Sequence, residues 1–315
     1  MTVLVGVDGG GTHTRALAMT HQGDVLGRGQ AGPSNHQAVG VEGAVEAVRQ
    51  AVFAATSGRP ADVVGACLAG VDLPEHVELL QGGIRERLGV DGVHVENDIA
   101  AALWATPGLS VGVVASGTGA AVALRQEGKM SRLLALNDFT GPEGGAGDIA
   151  TLAVREAILA AQGAAPPTRL TERILAVFGL PDYVALARAT EGQDMPPWQI
   201  ALFVAPLCAQ LAGEGDARAR QILRRMGAHL GTAAGRYFAA QGLAPGSPVG
   251  RYGSLLRAGP RDYREAFGRA LRRHFAAGAA PRGSLDAVQG ALLFAAERAG
   301  LQTGELVQAM RRRGA

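Results

Sequence analysis

Residues 3–19 read VLVGVDGGGTHTRALAM: an apolar strand, an acidic residue, a run of glycines and a second apolar strand. Gly9, Gly10 and Gly11 let the backbone turn sharply and approach a ligand without side chains in the way. Successive N–H groups in such a turn bind anions, and the carboxylate of Asp8 at the strand end can hold Mg²⁺ through its water shell. The segment therefore predicts a phosphate-binding β-hairpin.

Two other phosphate-binding motifs are excluded by the residues around this hairpin. A dinucleotide-binding fingerprint requires a third spaced glycine and then a helix, whereas Thr14 stands at that place and strand-like sequence follows. A P-loop requires a lysine after its last glycine. The only lysine of the chain is Lys129, which follows Gly128 in an ordinary turn.

The composition favours a folded protein of two domains. The 315 residues exceed what one core normally holds, 47% of them are hydrophobic, and the formal net charge is +2 with arginines scattered among acids. This balance argues against a nucleic-acid partner. No apolar run is long enough to span a bilayer, and the N-terminus lacks the pattern of a secretory signal. Cys67 and Cys208 lie in apolar runs without a nearby partner, so we expect buried free thiols, a cytoplasmic location and no zinc or iron–sulfur site.

Strand and helix patterns alternate through the first hundred residues. Strands are predicted at 25–29, 63–68 and 93–95, and helices at 42–55 and 74–88. Strands separated by helices are typical of an α/β layer with a partly parallel sheet.

The pattern then restarts with a second strand, glycine turn and strand at 111–124, which suggests a duplicated architecture with a nucleotide between the halves. From residue 151 the sequence is mostly helical, with a short strand at 249–254. The predicted domains are an N-terminal one at 1–107, a C-terminal one with a helical insertion at 108–283, and a last helix at 284–315 that packs back toward the first domain.

Five motifs occur along the chain in a specific order: Asp8-Gly9-Gly10-Gly11-Thr12, Glu96-Asn97-Asp98-Ile99-Ala100-Ala101, Ser116-Gly117-Thr118-Gly119, Gly253-Ser254 and Gly290-Ala291. In this order they resemble the sugar-kinase, Hsp70 and actin superfamily, and within it the BadF/BadG/BcrA/BcrD ATPase and N-acetylglucosamine kinase family. The resemblance covers nearly the whole chain. It implies a two-domain actin-like ATPase fold of the ribonuclease H-like α/β type, with duplicated phosphate hairpins and a nucleotide cleft between the domains.

The resemblance also implies ATP as the nucleotide and Mg²⁺ as the metal ion. Under it, Asp8 positions Mg²⁺, the hydroxyl groups of Thr12 and Thr118 add donors to the phosphates, and Gly253 begins the adenosine-site turn. The residues implied to bind the nucleotide are Gly9, Gly10, Gly11, Thr12, Ser116, Gly117, Thr118, Gly119, Gly253 and Ser254.

On the acceptor side, Asp98 is implied to be the general base that takes the proton of the attacking hydroxyl. A helix N-cap is the alternative role, because Ile-Ala-Ala-Ala-Leu follows it. Asp72 either faces the acceptor or caps the helix after Pro74. The residues implied to contact the sugar are Asn35, His36, Asp72, Asp98, Asn137 and Glu143.

The acceptor side departs from the family pattern at two places. Pro142 stands where the family has a sugar-binding aspartate, and Ala120 and Ala121 replace a polar pair after the second phosphate turn. A site built to bind hydroxyls loses much affinity when such partners are missing. Either the acceptor differs from N-acetylglucosamine, or other side chains take over the lost contacts, the candidates being Asn137, Asp138, Glu143 and Asp148.

The sequence therefore predicts an ATP- and Mg²⁺-dependent carbohydrate kinase that acts on a sugar or amino sugar as its small-molecule partner. Two alternatives stay open: a non-catalytic sugar or nucleotide sensor on the same fold, and an activator ATPase of radical dehydratases, which needs cysteines for an iron–sulfur cluster. A homodimer is also left open.

Overall fold

The computed structural model describes residues 1–136, 140–191, 197–279 and 285–313. The chain divides into two compact units. The first comprises Met1–Val113, Ala123–Leu136 and Ala279–Ala315, and the second comprises Val114–Val122 and Asn137–Gly278. The domain boundaries predicted after residues 107 and 283 stay predictions.

Ten strands form two sheets of five. Their bounds are β1 Val3–Gly9, β2 Thr14–Thr20, β3 Val25–Ala31, β4 Val63–Leu68, β5 Gly92–Asn97, β6 Val111–Ser116, β7 Ala120–Gln126, β8 Lys129–Arg132, β9 Pro248–Tyr252 and β10 Gly278–Ala279. Both counts, of strands and of sheets, apply only to the residues that the structure describes.

The first sheet has the strand order β3-β2-β1-β4-β5. Strands β1, β2 and β3 pair antiparallel, while β1, β4 and β5 pair parallel. The second sheet has the order β10-β9-β6-β7-β8. With β6 taken as its first strand, this is the order of the first sheet again, so the duplication predicted from the two glycine turns is confirmed.

Twelve helices are found in the described residues. Their bounds are α1 His36–Thr56, α2 Pro74–Leu88, α3 Ile99–Ala105, α4 Ala146–Ala161, α5 Leu170–Phe178, α6 Tyr183–Glu191, α7 Pro197–Gly213, α8 Ala217–Ala240, α9 Ser254–Arg257, α10 Arg261–His274, α11 Ala287–Arg298 and α12 Gly304–Arg313. None of them is long and apolar enough to cross a membrane.

Helices cover both faces of the first sheet because side chains of a strand alternate between faces. Val5 and Val7 of β1 belong to a buried cluster with Val48 of α1. Gly6, between them, faces the other way and lies against the backbone of α11 near Leu292. The absence of a side chain at Gly6 lets α11 lie directly on the sheet.

The helix predicted at 42–55 begins earlier in the structure, at His36, but Gly40 has φ 72° and ψ 169°, which interrupts the helical conformation. Regular helix therefore starts close to the predicted residue. The last helix predicted at 284–315 is divided in the structure into α11 and α12, and the elements β8, β10 and α9 were not predicted. Strands and helices of four residues, such as β8 and α9, are too short to show a hydrophobic period.

Candidate functional site

Three predicted site residues lie at the carboxyl ends of neighbouring parallel strands. Asp8 of β1 pairs with Cys67 of β4, which in turn pairs with Glu96 of β5. Asp72 comes shortly after β4, and Asp98 comes directly after β5. The carboxyl ends of parallel strands meet at one edge of a sheet, which is where ligands bind in open α/β sheets. The three carboxylates are close enough that the charges of Asp8 and Asp72 both raise the pKa of Asp98.

Asp98 is exposed to solvent even though protein atoms surround it closely. Desolvation by these atoms is the largest cause that raises its pKa to about 6, and the charges of Asp8 and Asp72 add to it. The Ile99 N–H and the Arg132 guanidinium act in the opposite direction. The Asp98 side chain does not cap α3. Its carboxyl is therefore accessible, is not used as a helix cap and titrates near the pH at which a general base works.

Asp72 is held by side chains from three directions. Its Oδ1 accepts a hydrogen bond from the Asn97 side-chain amide at 3.1 Å, and its Oδ2 accepts one from Gln37 Nε2 at 3.4 Å. An Arg132 Nη atom lies 3.5 Å from Oδ1 and another donates to the Asp72 carbonyl oxygen at 2.5 Å. The N-cap residue of α2 is Leu73. Asp72 therefore does not cap α2, which was one of the two roles predicted for it.

Asp8 is paired with Arg15 across the first hairpin. An Arg15 Nη atom lies 2.7 Å from Asp8 Oδ2. The pKa of Asp8 is nevertheless raised, because desolvation by burial outweighs the charge and hydrogen bond of Arg15. Among the described residues no group of three acidic, histidine or cysteine side chains could hold a metal ion by itself. The donor that the turn does offer is the single carboxylate of Asp8, and a site of one or two carboxylates completed by water and substrate phosphates is the kind that Mg²⁺ takes.

The first glycine turn, between β1 and β2, is open at its tip. Gly10 N donates to the His13 carbonyl oxygen at 2.9 Å, which closes the turn. Gly11 and Thr12 are exposed, and a Cβ atom added to Gly11 would meet no atom within 4 Å. Within the described part of the chain, the N–H groups of Gly11 and Thr12 have no partner. Two backbone donors at this turn are thus available to an anion.

The second glycine turn, between β6 and β7, belongs to the second unit and is held at its base. Ser116 is fully buried, and its hydroxyl donates to the Gly144 carbonyl oxygen at 2.8 Å and lies 3.0 Å from the Tyr263 hydroxyl. Tyr263 also donates to that carbonyl oxygen, at 2.5 Å. Ser116 therefore fixes the turn, while Thr118 and Gly119 are exposed at its tip.

The amino end of α4 supports the same turn. Ala146 N donates to the Gly117 carbonyl oxygen at 2.9 Å, and Gly147 N donates to that of Thr118 at 3.0 Å. Asp148, considered above as a substitute sugar ligand, accepts hydrogen bonds from the Gly144 and Gly145 N–H groups at 2.8 and 2.9 Å. Its carboxylate thus shapes the loop before α4.

Gly253 and Ser254 lie at the start of the short helix α9. Gly253 has φ 80° and precedes Ser254, which is exposed. A Cβ atom on Gly253 would overlap the backbone of Ser116. Glycine is therefore required both for the backbone conformation and for the close contact with the end of β6.

Asn35 and His36 lie at the start of α1, near Asp72. The Asn35 side-chain oxygen caps α1 by accepting the Gln37 N–H at 3.0 Å, and its amide nitrogen has no partner among the described residues. The His36 ring packs edge-on against that of His76, with 4.6 Å between the centroids, and its Nδ1 is buried without a hydrogen-bond partner. Burial and the charge of His76 lower the pKa of His36, so a neutral imidazole is favoured there.

The remaining predicted acceptor residues lie in the second part of the chain. Glu143 is exposed, and its carboxylate lies 2.5 Å from His229 Nδ1 on α8. Asn137 lies outside the described residues. The structure thus brings together Asp8, Asn35, His36, Asp72 and Asp98 within the first unit. It places the second glycine turn, Glu143, Gly253 and Ser254 in the second unit.

Sequence reasoning missed four residues that position this site: Arg15, Gln37, Asn97 and Arg132. Asn97 was quoted only as the neighbour of Asp98. Arg15 could have been found, because the second residue after a four-residue hairpin tip pairs with the last residue but one of the first strand, which is Asp8. No local signal marks Arg132, which reaches Asp72 from the unpredicted strand β8.

The comparisons with known proteins are consistent with this geometry. A model of the BadF/BadG/BcrA/BcrD ATPase family matches residues 5–295. The N-acetyl-D-glucosamine kinase of Dictyostelium discoideum is 27% identical over 237 residues, which is 70% of this chain and 74% of that protein.

Two crystal structures share the fold. A candidate N-acetylglucosamine kinase from Chromobacterium violaceum superposes with a TM-score of 0.69 at 24% identity, covering 93% of this chain and 99% of its own. A second candidate, from Porphyromonas gingivalis, gives a TM-score of 0.65 at 18% identity, with all of both chains covered. The actin-like ATPase fold expected from the sequence is therefore confirmed.

Proposed function

The chain belongs to the BadF/BadG/BcrA/BcrD ATPase family, and on this premise we propose that it is an ATP- and Mg²⁺-dependent kinase of a sugar or amino sugar. The observation that carries the proposal is the placement of Asp98 at the edge of the first sheet. Its carboxyl is accessible, lies in the field of two other carboxylates and has a pKa of about 6. An Asp that titrates there can accept a hydroxyl proton at neutral pH.

Each of the two glycine turns, taken by itself, has groups that suit phosphate oxygens. The first turn offers the N–H groups of Gly11 and Thr12, and the second offers the exposed hydroxyl of Thr118. Asp8 would hold Mg²⁺ through water, and the ion, when bound, would offset charge on the phosphates. In phosphoryl transfer such positioning and charge compensation account for most of the catalysis.

The acceptor would be bound by the group around Asp72. Asn35 has a free amide donor, His36 has an unpaired ring nitrogen, and Asp72 is fixed in place by Asn97, Gln37 and Arg132. A substrate with several hydroxyl groups requires several hydrogen-bond donors and acceptors, and these three side chains supply them. N-acetylglucosamine and glucosamine are the first acceptors to try, because the relative from Dictyostelium discoideum is an N-acetyl-D-glucosamine kinase.

The experiment that tests the proposal is a coupled assay of ADP formation from ATP over a panel of hexoses, amino sugars and N-acetylated sugars. We expect at least one sugar to raise ADP formation and to appear as a sugar phosphate by mass spectrometry. Asp98→Asn should reduce this transfer by at least a hundredfold while nucleotide affinity changes less than threefold. Asp91→Asn, an exposed carboxylate just before the same strand, is the matched control and should keep full activity.

One result would count against Asp98 as the base, and another against the kinase activity itself. Full transfer activity in Asp98→Asn would remove Asp98 from the role of base. Sugar binding by calorimetry without any transfer, under conditions where ATP also binds, would identify a sensor instead.

A further inference from the structure

A cavity of about 690 Å³ in the second unit is lined almost entirely by arginines. Strand β9 contributes one of them, and helix α10 contributes the others together with one glutamate and one glycine. The lining residues are Arg251, Arg261, Arg264, Glu265, Gly268, Arg269 and Arg272. Five guanidinium groups and one carboxylate give this small volume a formal charge of +4.

The single carboxylate is already engaged. Glu265 Oε1 lies 2.5 Å from Arg261 Nε, and its Oε2 lies 3.5 Å from an Arg269 Nη atom. Arg251 and Arg272 have no acidic partner in the described ranges. Arg264 has none there either, and its Nε donates to the Gly259 carbonyl oxygen at 2.8 Å. Three of the five guanidinium groups are therefore not paired with a carboxylate among the described residues.

The guanidinium groups of Arg251 and Arg272 face the same point of the cavity. A Cβ atom on Gly268 would lie 3.2 Å from Arg272 Nη1 and 3.9 Å from Arg251 Nη2. The guanidinium of Arg251 also packs over the ring of Phe267, with 5.2 Å to its centroid. Burial and, after it, the like charge of Arg272 lower the pKa of Arg251. Two cations held this close are relieved by an anion placed between them.

Two arginines on the neighbouring helix α8 do have an acidic partner. Arg220 and Arg224 of α8 both pair with Asp262, at 3.1 and 2.6 Å. Both arginines of this pair are thus neutralised, whereas Arg251 and Arg272 of the cavity have no acidic partner among the described residues. This contrast also supplies a control pair with the same charge.

We propose that this cavity binds a small molecule that carries a chain of phosphates, either a free oligophosphate or the phosphate chain of a nucleotide. Guanidinium groups bind phosphate oxygens through paired hydrogen bonds, and several of them converging from a strand and a helix match several adjacent phosphates. The five arginines lie on one strand and one helix, in a chain whose net charge is only +2. This favours a compact anion over a nucleic acid, which requires an extended basic stripe.

The test is calorimetric titration of the full chain with sodium tripolyphosphate at low salt. Arg251→Gln combined with Arg272→Gln should weaken this binding at least tenfold. Arg220→Gln combined with Arg224→Gln, which removes the same charge, should leave it within twofold. Any binding common to all three proteins belongs to the glycine turns, and titration with ATP against tripolyphosphate shows whether a nucleoside adds affinity at the arginine-dependent site.

A second measurement locates the ligand without relying on the folding of variants. Tripolyphosphate should slow the modification of Arg251 and Arg272 by phenylglyoxal at least fivefold, as followed by mass spectrometry, while Arg220 reacts at an unchanged rate. Equal binding by the wild type and the Arg251/Arg272 variant, or no protection of these arginines, overturns the proposal. The proposal is also overturned if a single-stranded RNA binds through Arg251 and Arg272 while tripolyphosphate does not.

Discussion

The side-chain amide of Asn97 donates a hydrogen bond to the Asp72 carboxylate across 3.1 Å. The same amide donates to the Val71 carbonyl oxygen at 3.1 Å, and the Asn97 side-chain oxygen accepts the Ile99 N–H at 3.1 Å. One buried side chain therefore ties the loop after β4 to the first turn of α3. Asp98 lies within that connection, so Asn97 fixes the two carboxylates relative to each other.

Replacing Asn97 by Ala should loosen the acceptor side. The change leaves the Val71 carbonyl oxygen and the Ile99 N–H without their side-chain partner, which costs about 1–3 kcal/mol of unfolding free energy. We expect the KM for the sugar to rise more than the KM for ATP, because the loop that carries Asp72 is no longer held. Urea unfolding and steady-state kinetics measure the two effects. An unchanged unfolding midpoint would show that these bonds contribute nothing.

The pH dependence of transfer should report Asp98. A base works only when ionised, so kcat/KM should fall as the pH drops through about 6. Asp72→Asn removes a negative charge near Asp98, lowers its pKa and should move the acidic limb of the pH profile to lower pH. Arg132→Gln removes a positive charge, raises the pKa of Asp98 and should move that limb to higher pH. Shifts in the same direction for both variants would mean that the limb belongs to another group.

Asp98 should also weaken the fold at neutral pH. Its pKa is raised from 3.8 to about 6 in the folded chain, so the folded state holds its proton more tightly than the unfolded state, and stability falls as the pH rises through this interval. Asp98→Asn should therefore raise the melting temperature at pH 7.5 and have little effect near pH 3. Asp91→Asn serves as the reference. A stabilisation by Asp98→Asn that is equal at both pH values would contradict this origin.

Two identical substitutions should have opposite effects on stability. A Cβ atom on Gly290 of α11 would overlap the Ala101 carbonyl oxygen of α3, whereas one on Gly82 of α2 would meet nothing within 4 Å. Gly290→Ala should cost about 1–3 kcal/mol through overpacking. Gly82→Ala should stabilise by about 0.5–1 kcal/mol, since alanine favours a helix. Chemical denaturation of both variants checks the signs, and a neutral Gly290→Ala would sink the packing argument.

The cysteines should be inert in the native protein. Cys67 and Cys208 are fully buried free thiols, and burial raises the pKa of Cys208 to about 12 and raises that of Cys67 as well. We expect no reaction with a thiol reagent until denaturant is added, and then two thiols per chain. Fast labelling of the folded protein would contradict this prediction. Iron in the purified protein, visible as a brown colour, would support the dehydratase-activator alternative.

Much of the fold was predictable because its signals are local. Strand β4 and helix α2 have the predicted bounds, since each is a continuous apolar or amphipathic run with clear ends. The two glycine turns predicted the duplicated architecture, because a strand, glycine turn and strand is a complete structural unit. Short elements such as β8 were not predicted. Because Arg132 lies on β8, its place beside Asp72 was not predicted either.

The sequence by itself determined the family, the α/β class, the two glycine turns and the presence of Asp8 and Asp98 at strand ends, because these depend on neighbours in the chain. Only the tertiary structure decided how the Asp72 side chain is held, that Asp98 does not cap α3, that Ser116 is buried against Tyr263, and that unpaired arginines from β9 and α10 share one cavity. Each of these depends on residues far apart in sequence, and burial and electrostatic fields are set by such contacts.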